Sequence, residues 1–160
     1  MANYRKEVID LLLPHFRRDP RYHLLVGDMG FGAIDRMKEE FPGRVTNFGI
    51  MEQGAVGIAA GMAMTGMVPI VYTIVNFLVF RAIEQVRNDV MLQQLNVKFI
   101  GTGANDYFAM LGPSHCCGAQ DLQLMELVRV RSYDPYREEG TFDALVDRWI
   151  GDSQAGYLRV

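Results

Sequence analysis

Residues 47–61 read NFGIMEQGAVGIAAG: a β-prone approach, one acidic residue, then a run of glycine, alanine and small aliphatic side chains. How this stretch is read decides the fold. Residues 45–48 (VTNF) have strand composition, and residues 52–65 have the composition of a tightly packed helix, so strand hands over to helix within a few positions. Glu52 stands at that junction. A carboxyl group set among apolar and very small neighbours is costly to bury unless it has a dedicated hydrogen-bond partner. A bound heterocycle with a basic ring nitrogen would be such a partner. A carboxylate also suits the first turn of a helix, where it complements the macrodipole. From these residues alone both readings stand.

Working outward, the same strand-to-helix step recurs. On the N-terminal side, residues 4–17 form an amphipathic pattern with Val8, Leu11 and Leu12 on one face, and Pro14 is expected to disturb the last turn. A strand over 23–26 ends at Gly27-Asp28, and a helix over 34–41 is stopped by Pro42-Gly43. On the C-terminal side come a strand over 68–74, a long helix over 77–95 and a strand over 97–101. A loop bearing glycine and aromatic residues covers 102–113. Helix 119–127, strand 129–133, helix 141–150 and strand 157–160 follow. The strands are continuously apolar rather than alternating, which predicts a parallel sheet covered on both faces. The expectation is one doubly wound α/β domain over residues 1–160, mostly parallel, without linker or repeat. Ligands in such folds bind beyond the carboxyl ends of strands. That rule singles out Asp28, the 50–52 turn, Asn76-Phe77 and the 102–115 loop.

Composition narrows the function. With 160 residues, 49% of them hydrophobic, the chain suits one ordinary core. A net charge of −3 and no basic run give no footprint for nucleic acid. Arg17, Arg18 and Arg21 gather where the first helix ends, which suits its dipole. Cys116 and Cys117 are adjacent, so a disulfide framework is not expected; they read as small buried residues, with no neighbouring ligands for a metal. The N-terminus MANYRKEVID is charged and amphipathic, unlike a secretory signal; its Met1 reads as a natural start, and the cytoplasm is the expected location. Residues 55–80 carry no charge and would reach across a bilayer by length. However, Gly57, Gly61, Gly66 and Pro69 interrupt them, and MVPIVYTIV reads as a buried strand. A helix–turn–strand passage through a protein core is predicted, not a membrane span.

Four strings taken together, GDMG (27–30), NFGIMEQGAVGIAAGMA (47–63), YTIVNFLVFRAIEQVRNDV (72–90) and LGPSH (111–115), resemble the pyrimidine-binding domain of transketolase. The resemblance runs over approximately residues 22–160 with the motifs in order, and is nearest to the split bacterial transketolases. It implies the thiamine diphosphate-binding fold and that cofactor. It also implies that Glu52 hydrogen-bonds the aminopyrimidine nitrogen N1′ and so promotes loss of the thiazolium C2 proton. Phe77 and Phe80 match aromatic positions that pack on the pyrimidine; spacing alone would make them core residues. Ile74 and Asp28 match further positions near the cofactor, although Asp28 also suits a helix cap. His115 matches a substrate-facing histidine, able to donate to or exchange a proton with a hydroxyl or carbonyl.

Departures from the family pattern carry their own implications. The chain lacks the GDG-then-asparagine motif that holds Mg²⁺ and the diphosphate; Gly27-Asp28-Met29 is the nearest string. No metal ligand is therefore expected here, and the resemblance implies a partner subunit carrying the diphosphate-binding domain, in an α2β2 assembly. Gly54, Gly57, Gly61 and Ala63 would allow close helix approach at such an interface. AGYLRV resembles the closing strand of the pyrimidine domain, and the C-terminal transketolase domain is not in this sequence. Leu111 replaces an aspartate and Gly103 a histidine that contact sugar in transketolases, so the ketose or aldose substrate is open. The expected activity is transfer of a two-carbon ketol unit to an aldehyde. A two-subunit 2-oxoacid decarboxylase and a non-catalytic stabilising subunit are the alternatives.

Overall fold

Strands apolar along their whole length have no side to offer solvent, so the sheet they build must be sandwiched. A computed structural model describes residues 4–160 and shows that arrangement. Strands β1 (Tyr22–Val26), β2 (Val45–Asn47), β3 (Val68–Ile74), β4 (Lys98–Thr102), β5 (Arg131–Tyr133) and β6 (Gly156–Arg159) form one sheet in the order β2-β1-β3-β4-β6-β5. Every pairing is parallel. Side chains alternate between two cores. Leu24, Val26, Ile70, Tyr72, Ile100 and Leu158 join α1 (Tyr4–Arg18), α2 (Asp35–Glu40) and α6 (Phe142–Gly151) on one face. Leu25, Val71, Phe99 and Tyr157 join α3 (Glu52–Met64), the 77–91 helical run and α5 (Gln120–Leu127) on the other. Each fully buried Leu, Ile or Val contributes about 1.5–3 kcal/mol through its apolar surface. The doubly wound α/β expectation is borne out.

Strand order fixes where a ligand can sit. From β1 the chain moves outward to β2, then returns past β1 to β3 and builds in the opposite direction. The crevice at such a reversal opens beyond the carboxyl ends of the two strands beside it, here β1 and β3. Gly27 permits their close approach: a Cβ there would lie 2.7 Å from Thr73 Oγ1 and 3.0 Å from Phe48 Cζ. The uncharged 55–80 segment divides into α3 and β3, as its glycines and proline predict. Among the described residues no helix is long and apolar enough to cross a membrane.

Three details differ from the sequence reading. Pro14 does not disturb α1, which continues to Arg18. It lies on the exposed face with Asp10, whose freed carbonyl can be hydrated. The expected 77–95 helix is shorter and interrupted: α4 (Ile83–Gln85) is flanked by wider π-type turns at Phe77–Arg81 and Val86–Met91. Strand β5 starts at Arg131 rather than 129 because α5 closes in a Schellman turn. Arg129 takes φ +65°, its N–H reaches Glu126 O, and the Val130 N–H reaches Met125 O.

Candidate active site

Glu52 opens α3 directly after the β2 end, yet its carboxylate is spent elsewhere than on that helix terminus. The residue is 1% exposed. Oε1 accepts from Thr73 Oγ1 at 3.1 Å, and Oε2 accepts from Arg81 Nη1 at 2.5 Å. A buried carboxylate needs such partners, since losing one leaves an uncompensated charge. The first π-type turn sets Arg81 four positions after Phe77, and its guanidinium carbon lies 4.4 Å from the Phe77 ring centroid. On another side, the Phe77 ring meets the His115 imidazole edge-on, with centroids 5.0 Å apart and planes at 70°. Glu52, Arg81, Phe77 and His115 therefore form a continuous chain of contacts at the carboxyl end of β3.

The loop bearing His115 is held from two directions. Asn76 donates from Nδ2 to Ser114 O (3.1 Å) and Cys116 O (2.8 Å), bracketing His115. Both donors of the amide are thereby used, which fixes its orientation, and Oδ1 is left buried without a partner. From below, Asp106 Oδ1 accepts from the N–H groups of Cys117 and Gly118, and Arg159 reaches Asn105 Oδ1 and Gly118 O. Arg159 is itself paired with Asp121, which also accepts from Tyr157 OH. Burial, then the nearby Asp121 carboxylate, push the Cys117 thiol up to about 11. That removes it as a thiolate nucleophile at neutral pH. Both cysteines are free. Gly103 has φ +91°, and a Cβ there would run into the Phe108 ring. A side chain at this position would require the Phe108 ring to move.

Asp28 and Ile74 lie in a separate part of the crevice. Asp28 does not cap a helix. Its Oδ1 accepts from Asn47 Nδ2 at 3.1 Å while its N–H reaches Asn47 Oδ1 at 3.2 Å, locking the end of β1 to the end of β2. With Ile74 it lines an open cleft of about 570 Å³ that Arg5, Tyr72 and Phe108 also line. Arg5 donates from Nε to Thr102 Oγ1 at 2.8 Å and lies over the Tyr107 and Phe108 rings, 4.7 Å from each. Burial raises the Tyr72 phenol above its ordinary range. Phe80 is 52% exposed and takes no part in these contacts.

Arg81, Thr73 and Arg5 were not among the residues expected at the site. Arg81 had a signal, an arginine four positions beyond an aromatic that itself follows a strand end. Thr73 and Arg5 had none, because their roles depend on strand neighbours distant in sequence. A buried carboxylate, an aromatic face and an unfilled buried acceptor suit a flat, nitrogen-bearing ring. Among the described residues no group of three or more His, Cys, Asp or Glu side chains is placed to hold a metal ion.

Comparison with known proteins gives this geometry a family. The sequence model described as transketolase, pyrimidine binding domain, matches residues 2–146. A 6-deoxy-6-sulfo-D-fructose transketolase subunit of Clostridium sp. (strain MSTE9) is 30% identical over 122 residues, 76% of this chain and 38% of that one. An apulose-4-phosphate transketolase subunit of Phocaeicola vulgatus is 35% identical over 116 residues, 72% of this chain and 37% of that one. Among solved structures, a split-gene transketolase described as an inactive β4 tetramer superposes with a TM-score of 0.81 at 27% identity. That match covers 97% of this chain and 49% of the other. The chain thus spans less than half the length of these relatives.

Proposed function

The chain belongs to the transketolase family through its pyrimidine-binding domain, and from that premise we propose that it is one component of a two-component, thiamine diphosphate-dependent transketolase-like enzyme. Members of this family use thiamine diphosphate, and the subunits among its relatives imply a partner. In our reading the partner holds the diphosphate and Mg²⁺ in an α2β2 assembly, and the reaction passes a two-carbon ketol unit from a ketose to an aldehyde. When bound, the cofactor supplies the carbanion chemistry.

The residues of this chain would prepare that chemistry. Glu52 would share a proton with the pyrimidine nitrogen N1′, in a setting whose low polarity strengthens the hydrogen bond. Phe77 would present its face to the ring, with Phe80 closing the pocket at the subunit boundary. Ile74 and Asp28 would line the approach at the strand reversal. His115, held between two anchored carbonyls, would donate to or take a proton from a substrate oxygen. Arg5, oriented by two aromatic rings and Thr102, offers a cation for an anionic substrate tail.

The observation carrying this reading is the 1% exposure of Glu52, linked through Arg81 to the Phe77 ring, at the strand reversal where such folds bind ligands. The test is Glu52→Gln in the reconstituted two-component enzyme. Turnover should fall at least about a hundredfold, in the range of a lost general acid–base group, while circular dichroism stays unchanged. Full activity in that variant would refute the assignment. Measuring CO₂ release from 2-oxoacids against ketol transfer between sugars separates this reaction from a decarboxylase.

A further inference from the structure

We propose that Arg81 is a built-in stand-in for the cofactor's aminopyrimidine. Its guanidinium fills the place between Glu52 and Phe77 assigned to that ring, and loading requires it to leave. The inference rests on the Glu52 reading above.

Two contacts define the place assigned to the pyrimidine, a carboxylate oxygen and an aromatic face. Arg81 makes both, donating to Glu52 Oε2 at 2.5 Å and lying 4.4 Å from the Phe77 centroid. Chemistry explains why arginine suits the part. A guanidinium is planar and delocalised, donates N–H to carboxylates and stacks on aromatic faces. An aminopyrimidine shares its flatness, its nitrogen-bearing edge and its capacity to share a proton with a carboxylate. A lysine ammonium would satisfy the carboxylate and not the ring.

Burial indicates which member of the pair moves. The Glu52 side chain is 1% exposed and Arg81 37%, so the arginine is the outer member, on a long side chain that can swing into water. Withdrawing it with no replacement would leave a buried, unpaired carboxylate, which is strongly unfavourable. A ring nitrogen arriving at Glu52 removes that penalty, so one partner is exchanged for another. A site whose competent state is only a fraction of the population binds with affinity reduced by that fraction. Wild-type affinity for the pyrimidine is therefore held down by Arg81.

The experiment titrates the isotope-labelled chain with 4-amino-2-methylpyrimidine, following the Arg81 Nε–H resonance and the Phe77 ring protons by NMR. In the wild type the Arg81 signal should begin displaced by the Phe77 ring current and move to the position of a solvated arginine as the probe saturates. Arg81→Gln should bind the probe at least tenfold more tightly. Arg81→Lys, which keeps the charge and folds even if the glutamine variant does not, should bind at least threefold more tightly. An Arg81 resonance that stays put while Phe77 shifts overturns the proposal. So does equal or weaker binding by the variants, or no binding by any form. Adding Glu52→Gln to Arg81→Gln separates the two ideas. If affinity is then unchanged and Arg81 is still displaced in the wild type, the Glu52 assignment fails and the displacement stands.

Discussion

Glu52 and Lys98 are charged side chains with almost no exposure, at opposite ends of the sheet, and their partners differ in kind. Those of Glu52 are side chains that can move. Lys98, at the start of β4, donates from Nζ to the carbonyls of Asp152 and Gln154, at 2.6 and 2.5 Å, and these are fixed backbone. Burial lowers the Lys98 ammonium to about 8 against an ordinary 10.5, with Asp152 opposing the shift. Between those two values the unfolded chain holds a proton that the folded chain has released. Stability from this group therefore rises with pH through that window, and below it the full penalty is present. Urea denaturation of wild type and Lys98→Met across pH 7.5–10 should show the wild type gaining on the variant by about 2 kcal/mol. A flat difference would show that Lys98 titrates normally. At this scale the sequence made Glu52 legible, as a lone acid in an apolar stretch. Nothing local marked Lys98, because its burial comes from residues far away in the chain.

Helices and strands were read largely correctly, and the misplaced boundaries share a cause. Hydrophobic spacing sees which residues are buried and not how the backbone turns between them. It could not distinguish a regular helix over 77–95 from α4 between two wider turns, since Val79, Val86 and Val90 are buried either way. Nor could it see that Arg129 would adopt a left-handed conformation to end α5. The β4–α5 loop was legible as a ligand-side loop bearing glycine and aromatic residues, but not in its shape. Its shape comes from Phe108 closing over Gly103 and from Asp106 tying two N–H groups together. Restoring a transketolase-like side chain with Gly103→His should therefore damage the loop. The positive φ and the lost space together should cost about 2–4 kcal/mol in thermal denaturation. A variant as stable as the wild type would mean that Phe108 yields easily.

Across the whole molecule, the parallel sandwich and the end of the sheet at which a ligand binds were both predictable from strand composition and connectivity. The strand order was not, since nothing local in β6 says that it inserts between β4 and β5. One surface stands out at this scale. Outward from the sheet, α3 presents Gly54, Gly57, Ile58, Gly61 and Met64, without a charged residue, and Ile58 and Met64 are 51% and 58% exposed. Small residues in such a row let another helix come close. Ile58→Arg should leave the circular dichroism spectrum and melting temperature nearly unchanged while abolishing assembly in sedimentation runs with the partner component. Intact assembly would place the subunit contact elsewhere.

The interior position of β6 has a consequence for how the protein is born. On a ribosome, β5 emerges before the strand that links it to the sheet, so it waits with no backbone partner and an open edge. Only when Arg159 has cleared the exit tunnel can it fasten Asn105, Gly118 and Asp121. The segment carrying His115 thus sets only after β6 has emerged. Until then a newborn copy has four paired strands of six, and the loop beside its crevice is still unfastened.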